Sequence, residues 1–139
     1  VTIYTVLVAG CCTHNTTVNL DALRNNQGNP VAVRLCRGSY TVTAFGKADG
    51  GQYDAWRAWK HAGGKPWINE YAYSSPELGT NRVSDGVRYP TESEALANAR
   101  TAYFTLSRSQ SVQFYLHDPS PEDNGGGMSL RVKTELGAP

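Results

Sequence analysis

The chain has 139 residues, 40% of them apolar, with a formal net charge of +1. That length suits one domain with a real core, and scattered basic residues at near-zero net charge leave no electrostatic footprint for nucleic acid or an anionic membrane. The longest apolar run, residues 1–9, is far too short to span a bilayer as a helix, and no membrane insertion is expected.

Residues 1–9 are rich in β-branched side chains and end at Gly10, the pattern of a first β-strand. The run lacks the charged start of a signal peptide, and the chain begins at Val, so it is expected to be a strand whose terminus was exposed by processing or by the choice of expressed residues. Three cysteines follow an odd-count logic. Neighbours Cys11 and Cys12 do not easily bond to each other, so one bridge is expected from Cys36 to either of them, with the other thiol left free or joined to a second chain. Asn15-Thr16-Thr17 is an acceptor sequence for glycosylation at Asn15. Cysteines and sequon together point to a secreted, extracellular chain. Cys11, Cys12 and His14 lack the spacer of a zinc knuckle and have no second ligand pair.

Residues 16–20 form a second strand, and NNQGNP at 25–30 is a turn cluster. Val31, Val33 and Leu35 alternate with polar or small residues, as do Tyr40, Val42 and Ala44, giving two more strands; the intervening Arg37, Gly38 and Ser39 read as a hairpin turn. From 46 to 81 the alternation dissolves into an aromatic, glycine-studded stretch that holds all three tryptophans, Trp56, Trp59 and Trp67. Flat apolar faces with a polar edge are the chemistry for stacking on sugar rings or on proline-rich ligands, and His61 and Lys60 add polar groups nearby. Trp56 and Trp59 are also spaced as one helical face requires, which is the pattern of plain core packing.

Thr91 and Glu94 match a capping box after Pro90, predicting a helix over 91–98. Tyr103, Phe104 and Leu106 resume strand chemistry. In the last stretch, 111–132, Val112, Phe114 and Leu116 alternate on one side, and Met128, Leu130 and Val132 on the other. These read as the two arms of a hairpin. The loop between them carries Asp118, Glu122, Asp123 and Asn124, two prolines and three glycines. Such residues are ordinary turn formers, and they are also oxygen donors suited to a hard cation, above all calcium, although no EF-hand pattern is present.

The whole is expected to be all-β: a single small β-sandwich of the jelly-roll or galactose-binding-like kind over residues 1–139, with one short helix at most. No nucleophile elbow, zinc-protease helix or phosphate loop occurs, so an enzyme is not expected. His117 and Asp118 are adjacent on a strand and point to opposite faces. Glu122 and Asp123 as the acid pair of a small secreted glycoside hydrolase would lack a two-sided cleft.

The last stretch is similar to the calcium-dependent, galactose-binding PA-IL (LecA-type) lectins, tetrameric β-sandwich proteins. VQFYLHD at 112–118, PSPEDNGGG at 119–127 and SLRV at 129–132 follow that family's strand, loop and strand without a gap. GSYTVTAFG at 38–46 followed by Trp56 resembles a second family block. The two blocks cover about a third of the chain. The resemblance implies a carbohydrate-binding lectin that recognises a terminal, galactose-type sugar on glycans or glycoproteins, working as a homo-oligomer, a dimer or tetramer. It implies calcium held by Asp118, by Glu122 in the place of a threonine carbonyl, and by the carbonyl of Gly50, with His61 beside the sugar; residues of the neighbouring aromatic loop, Trp59 among them, are expected to form the other wall. Gly125 and Gly126 stand where the family has asparagine ligands. Either Glu122, Asp123 and Asn124 rebuild the site in a shifted register, or this relative binds sugar without the metal. A structural or protein-interaction sandwich that uses its aromatic loop at 53–73 is the reading from a different class.

Overall fold

A computed structural model of the chain describes residues 12–57, 63–119 and 121–135. The expected first strand at 1–9, Cys11, Trp59, Lys60 and His61 lie outside the described residues. Ten strands are described, in two antiparallel sheets. They are β1 (Asn15–Asp21), β2 (Val31–Leu35), β3 (Gly38–Phe45), β4 (Trp56–Arg57), β5 (Trp67–Ile68), β6 (Tyr71–Ser75), β7 (Gly79–Val83), β8 (Ala102–Leu106), β9 (Gln110–Tyr115) and β10 (Gly125–Thr134). One sheet runs β5-β4-β10-β3-β8, with β1 also paired to β10; the other runs β2-β9-β6-β7. The all-β sandwich expected from the alternating segments is therefore present.

Strand β10 is the spine of the larger sheet. It pairs with β1 from Asp21↔Gly127 to Asn15↔Lys133, with β3 from Ser129↔Phe45 to Thr134↔Tyr40, and with β4 at Gly125 and Gly126. Its Met128, Leu130 and Val132 point inward and are fully buried, alongside Val18 and Leu20 of β1 and Tyr40 and Val42 of β3. From the opposite sheet come Leu35, Tyr71, Tyr73, Val112 and Phe114. Rings join the two layers: Phe104 of β8 lies 5.5 Å from Tyr40 and 5.1 Å from Tyr73, and Tyr73 lies 6.3 Å from Phe114. Aromatic pairs at such spacings add about 0.5–1.5 kcal/mol each beyond the area they bury.

Two expected hairpins are instead sheet-to-sheet crossings. β2 pairs with β9 and β3 with β10 and β8, so the 31–35 and 38–45 strands lie in opposite layers. Likewise β9 and β10 do not pair with each other. Period-two alternation shows which face of a strand is buried, and both members of each pair face the same core; it carries no information about the hydrogen-bonding neighbour. The first crossing takes only Cys36 and Arg37, and is aided by Gly38, whose φ of 149° suits a residue without Cβ. It is clamped by a Cys12–Cys36 disulfide, which resolves the pairing left open by the three cysteines. Thr13 bridges to Leu35, and the Tyr40 hydroxyl donates to the Cys36 carbonyl at 2.7 Å.

The aromatic stretch holds four strands that its sequence pattern hides. β6 is buried at Tyr71, Ala72 and Tyr73 in succession, so both its faces are covered and no alternation survives. Trp56, spaced with Trp59 as on a helix, sits in β4. Its indole is 1% exposed, and its Nε1–H donates to the Glu70 carbonyl at 2.8 Å. The helix foreseen at 91–98 is α1 (Glu92–Ala97), begun by Thr91, whose Oγ1 accepts from the Glu94 N–H at 3.2 Å. Its Ala95 is buried, and the Ala95 carbonyl accepts from Asn69 Nδ2 at 2.9 Å, docking the helix beside β5. Among the described residues no helix is long and apolar enough to cross a membrane.

Candidate functional site

The loop that carries the acidic cluster is the crossing from β9 to β10. Leu116, 1% exposed, anchors its start, and its N–H donates to the Asn25 carbonyl at 2.8 Å. The Asp118 N–H donates to Gln27 Oε1 at 3.2 Å, so the β1–β2 turn cluster forms the floor of the loop. A 3₁₀ turn, Pro121–Asp123, then closes with the Asn124 N–H donating to the Pro121 carbonyl at 3.0 Å. Asn124 is 7% exposed; its Nδ2 donates to the Ala22 carbonyl at 3.1 Å, which fixes the orientation of its amide.

That orientation leaves Asn124 Oδ1 buried without a hydrogen-bond partner, and Asp123 Oδ1 is buried in the same condition. An unsatisfied buried oxygen costs about 1–3 kcal/mol, and more when it is charged. Both are oxygen donors, the ligand type that a hard cation such as calcium takes. Glu122 is exposed, and Asp118 is half-buried. No three His, Cys, Asp or Glu side chains converge among the described residues, so Asp118, Glu122 and Asp123 do not meet as a trio. Coordination beyond Asp123 would fall to the Asn124 amide, backbone carbonyls, water and ligand hydroxyls, an arrangement within calcium's tolerance.

Gly50, the expected remote carbonyl, follows a 3₁₀ turn at Lys47–Asp49 with φ of 93°. The segment after it is tied to β10 at Ser129, whose Oγ accepts the N–H groups of Gln52 at 2.8 Å and Tyr53 at 3.1 Å. Gly50 shares no hydrogen bond with the 118–124 loop among the described residues. The part of β10 adjoining that loop is covered instead by β4 and β5.

The three glycines at 125–127 explain how that cover sits so close. A β-carbon on Gly125 would lie 2.9 Å from Arg57 Nε, and one on Gly127 would lie 2.7 Å from the Tyr53 ring. At Gly126, φ is 76°, and a β-carbon would collide with the Ala55 carbonyl and approach Trp67 Cζ3 to 3.3 Å. Arg57 and Trp67 therefore lie directly on the backbone that follows Asn124. They also contact each other, with the guanidinium carbon 5.6 Å from the indole centroid, a cation–π pair. Trp67 is half-buried and held by a two-way bridge to Tyr89, with N···O distances of 3.1 and 2.8 Å.

Arg57 and Trp67 were not among the site residues expected from sequence. The glycine run was the available signal, because three consecutive glycines in a strand mark backbone that something approaches closely. Behind this wall the Tyr53 hydroxyl donates to Asp21 Oδ2 at 3.0 Å, while Asp21 Oδ1 accepts from the Leu23 N–H at 2.9 Å. Burial, then the bond to the Asp21 carboxylate, raises the Tyr53 phenol, so it stays a neutral donor at physiological pH. Asn15, the sequon residue, is exposed at the start of β1, and its Oδ1 accepts from the Thr134 N–H at 3.2 Å.

No protein-family model, curated protein or solved structure matches this chain.

Proposed function

We propose that the protein is an extracellular, calcium-assisted carbohydrate-binding sandwich whose site is the 118–124 crossing, walled by Arg57 and Trp67. The observation that carries this reading is the pair of buried, unpartnered oxygens, Asp123 Oδ1 and Asn124 Oδ1, in the loop that leads directly into the Gly125–Gly126 backbone on which Arg57 and Trp67 rest. A hard cation relieves the cost of those two oxygens and leaves coordination positions for sugar hydroxyls. Trp67 offers an apolar face for the C–H side of a ring, and Arg57 offers donors for its hydroxyls. Asp118 and Glu122, earlier in the same loop, add carboxylate acceptors. Contacts of this polar kind are individually modest, so a dimer or tetramer of such sites gains its grip on glycoproteins by avidity.

The test is calorimetric. Calcium is titrated into chelator-treated protein and galactose is then titrated into the same cell, with a glycan array run alongside in both conditions. Calcium binding that is lost in Asp123→Asn, followed by calcium-dependent sugar binding, is the expected result. Sugar binding that survives chelation would remove the metal from the reading. Absence of sugar binding in both conditions would overturn it.

A further inference from the structure

The outer strands of the two sheets, β7 and β8, face one another across an open seam of the sandwich. A cavity of about 260 Å³ opens there, with Tyr73, Asn81, Arg82 and Ser84 on one side and Arg100 and Tyr103 on the other. The two arginines are in different states. Arg82 Nη2 is held by both carboxylate oxygens of Glu70, at 3.0 and 3.1 Å. The exposed Arg100 guanidinium has no hydrogen bond or ion pair among the described residues, although its backbone is fixed by the Tyr71 hydroxyl donating to its carbonyl at 2.8 Å. The nearby Asp85 carboxylate is already engaged by the Tyr89 hydroxyl and by the Val87 N–H, the latter at 3.0 Å. Arg100 therefore keeps its planar fork of donors for a ligand. Tyr103 stands at the rim, 65% exposed, an aromatic face on an edge strand that gains nothing from it in the core.

We infer that this seam is a second saccharide site, separate from the 118–124 crossing, which takes a single carboxylate-bearing sugar unit of the hexuronate type. The carboxylate pairs with the Arg100 fork and the ring lies against Tyr103; Asn81 Nδ2 already donates to the Leu78 carbonyl and Ser84 Oγ already accepts from the Gly86 N–H, so the hydroxyls are met by Asn81 Oδ1 and by the Ser84 O–H. The volume sets the ligand at one ring, being below the roughly 300–1,000 Å³ of sites for larger small molecules. Glu70 and Asp85 balance the charges of the two arginines locally. The site is therefore tuned to one anionic group held by geometry rather than to a polyanion attracted by field.

The experiment is an amide-shift NMR titration of the whole chain with galacturonate, galactose and acetate, carried out in chelator so that a calcium-dependent site is silent. Galacturonate is expected to shift the 81–84 and 100–103 amides with millimolar affinity. Galactose and acetate should each bind at least tenfold more weakly. Arg100→Gln and Tyr103→Ala, both at exposed positions, should each weaken galacturonate binding at least tenfold, while Asp123→Asn leaves it unchanged. Equal binding of galactose would refute the anionic specificity, and equal binding of acetate would reduce the seam to a bare anion site. No shift up to about 20 mM, an affinity weaker than about −2.3 kcal/mol, would overturn the proposal outright.

Discussion

Gly125 and Gly126 are neighbours in β10 and similar to the eye in sequence, yet the structure gives them opposite tolerances. At Gly126 an alanine must adopt a φ of 76°, which costs a non-glycine residue about 1–2 kcal/mol. Its β-carbon would also strike the Ala55 carbonyl and sit 3.2 Å from Trp56 Cα, backbone atoms that move only with the sheet. Overpacking of this kind costs about 1–3 kcal/mol. Together these give about 2–5 kcal/mol, or roughly 8–20 °C in Tm for a chain of this size. At Gly125 the neighbour is the exposed Arg57 side chain, which can swing aside, and the stiffer unfolded chain returns about 0.4–1 kcal/mol. Gly125→Ala should therefore stay within about 1 kcal/mol of the parent. Thermal unfolding followed by circular dichroism, with urea titrations to obtain free energies, measures both. If the two variants agree within experimental error, the account of why glycine occupies this strand is wrong. The same geometry makes the asparagine of the lectin pattern compatible at 125 and incompatible at 126.

Three further outcomes can be measured directly. Cys36→Ser, chosen because Cys11 could replace Cys12 in a bridge, should lose about 3 kcal/mol in denaturant titration, the loop-entropy value for a bridge spanning 24 positions; an unchanged midpoint would mean that the bridge does not form in solution. Trp56→Phe should cost about 1–3 kcal/mol, because the part-buried Glu70 carbonyl loses its donor, and a neutral result would refute that bond. Two carboxylates give the fold an acid dependence. Hydrogen bonds from Ser107, then Gln110, lower the Glu77 carboxyl; burial pushes the Asp85 carboxyl up, but bonds from Tyr89, Val87 and Asn69 outweigh it and hold it below the ordinary range. Groups lowered in the folded state stabilise above their unfolded pKa and lose that contribution as pH falls through the folded value. Tm should therefore drop between about pH 5 and pH 3, and the Asp85→Asn, Glu77→Gln double variant should show a shallower drop. An identical slope would assign the acid sensitivity to other groups.

The limits of sequence reading fall along a physical line. The inward faces of β2, β3, β9 and β10 were legible because a half-buried strand repeats every two residues, and Thr91 announced its helix because a cap is a contact three residues long. β6 was not, since Tyr71, Ala72 and Tyr73 are buried on both faces and the periodic signal vanishes. In the site, the oxygen-rich composition of 118–124 was visible, whereas the burial of Asp123 and Asn124 oxygens depends on Ala22 and the β1–β2 turn, a hundred positions away in the chain.

By itself the sequence determined local quantities: an all-β class, the faces of several strands, one helix start, and a bridge to Cys36 with its partner open. The tertiary structure alone decided that Cys12 is that partner, that β2 and β3, like β9 and β10, lie in opposite sheets, and that Arg57 and Trp67 rest on the glycine backbone after Asn124. The reason is that alternation and capping are set by neighbours in the chain, while pairing partners and close approaches are chosen by the packing of one buried layer against the other.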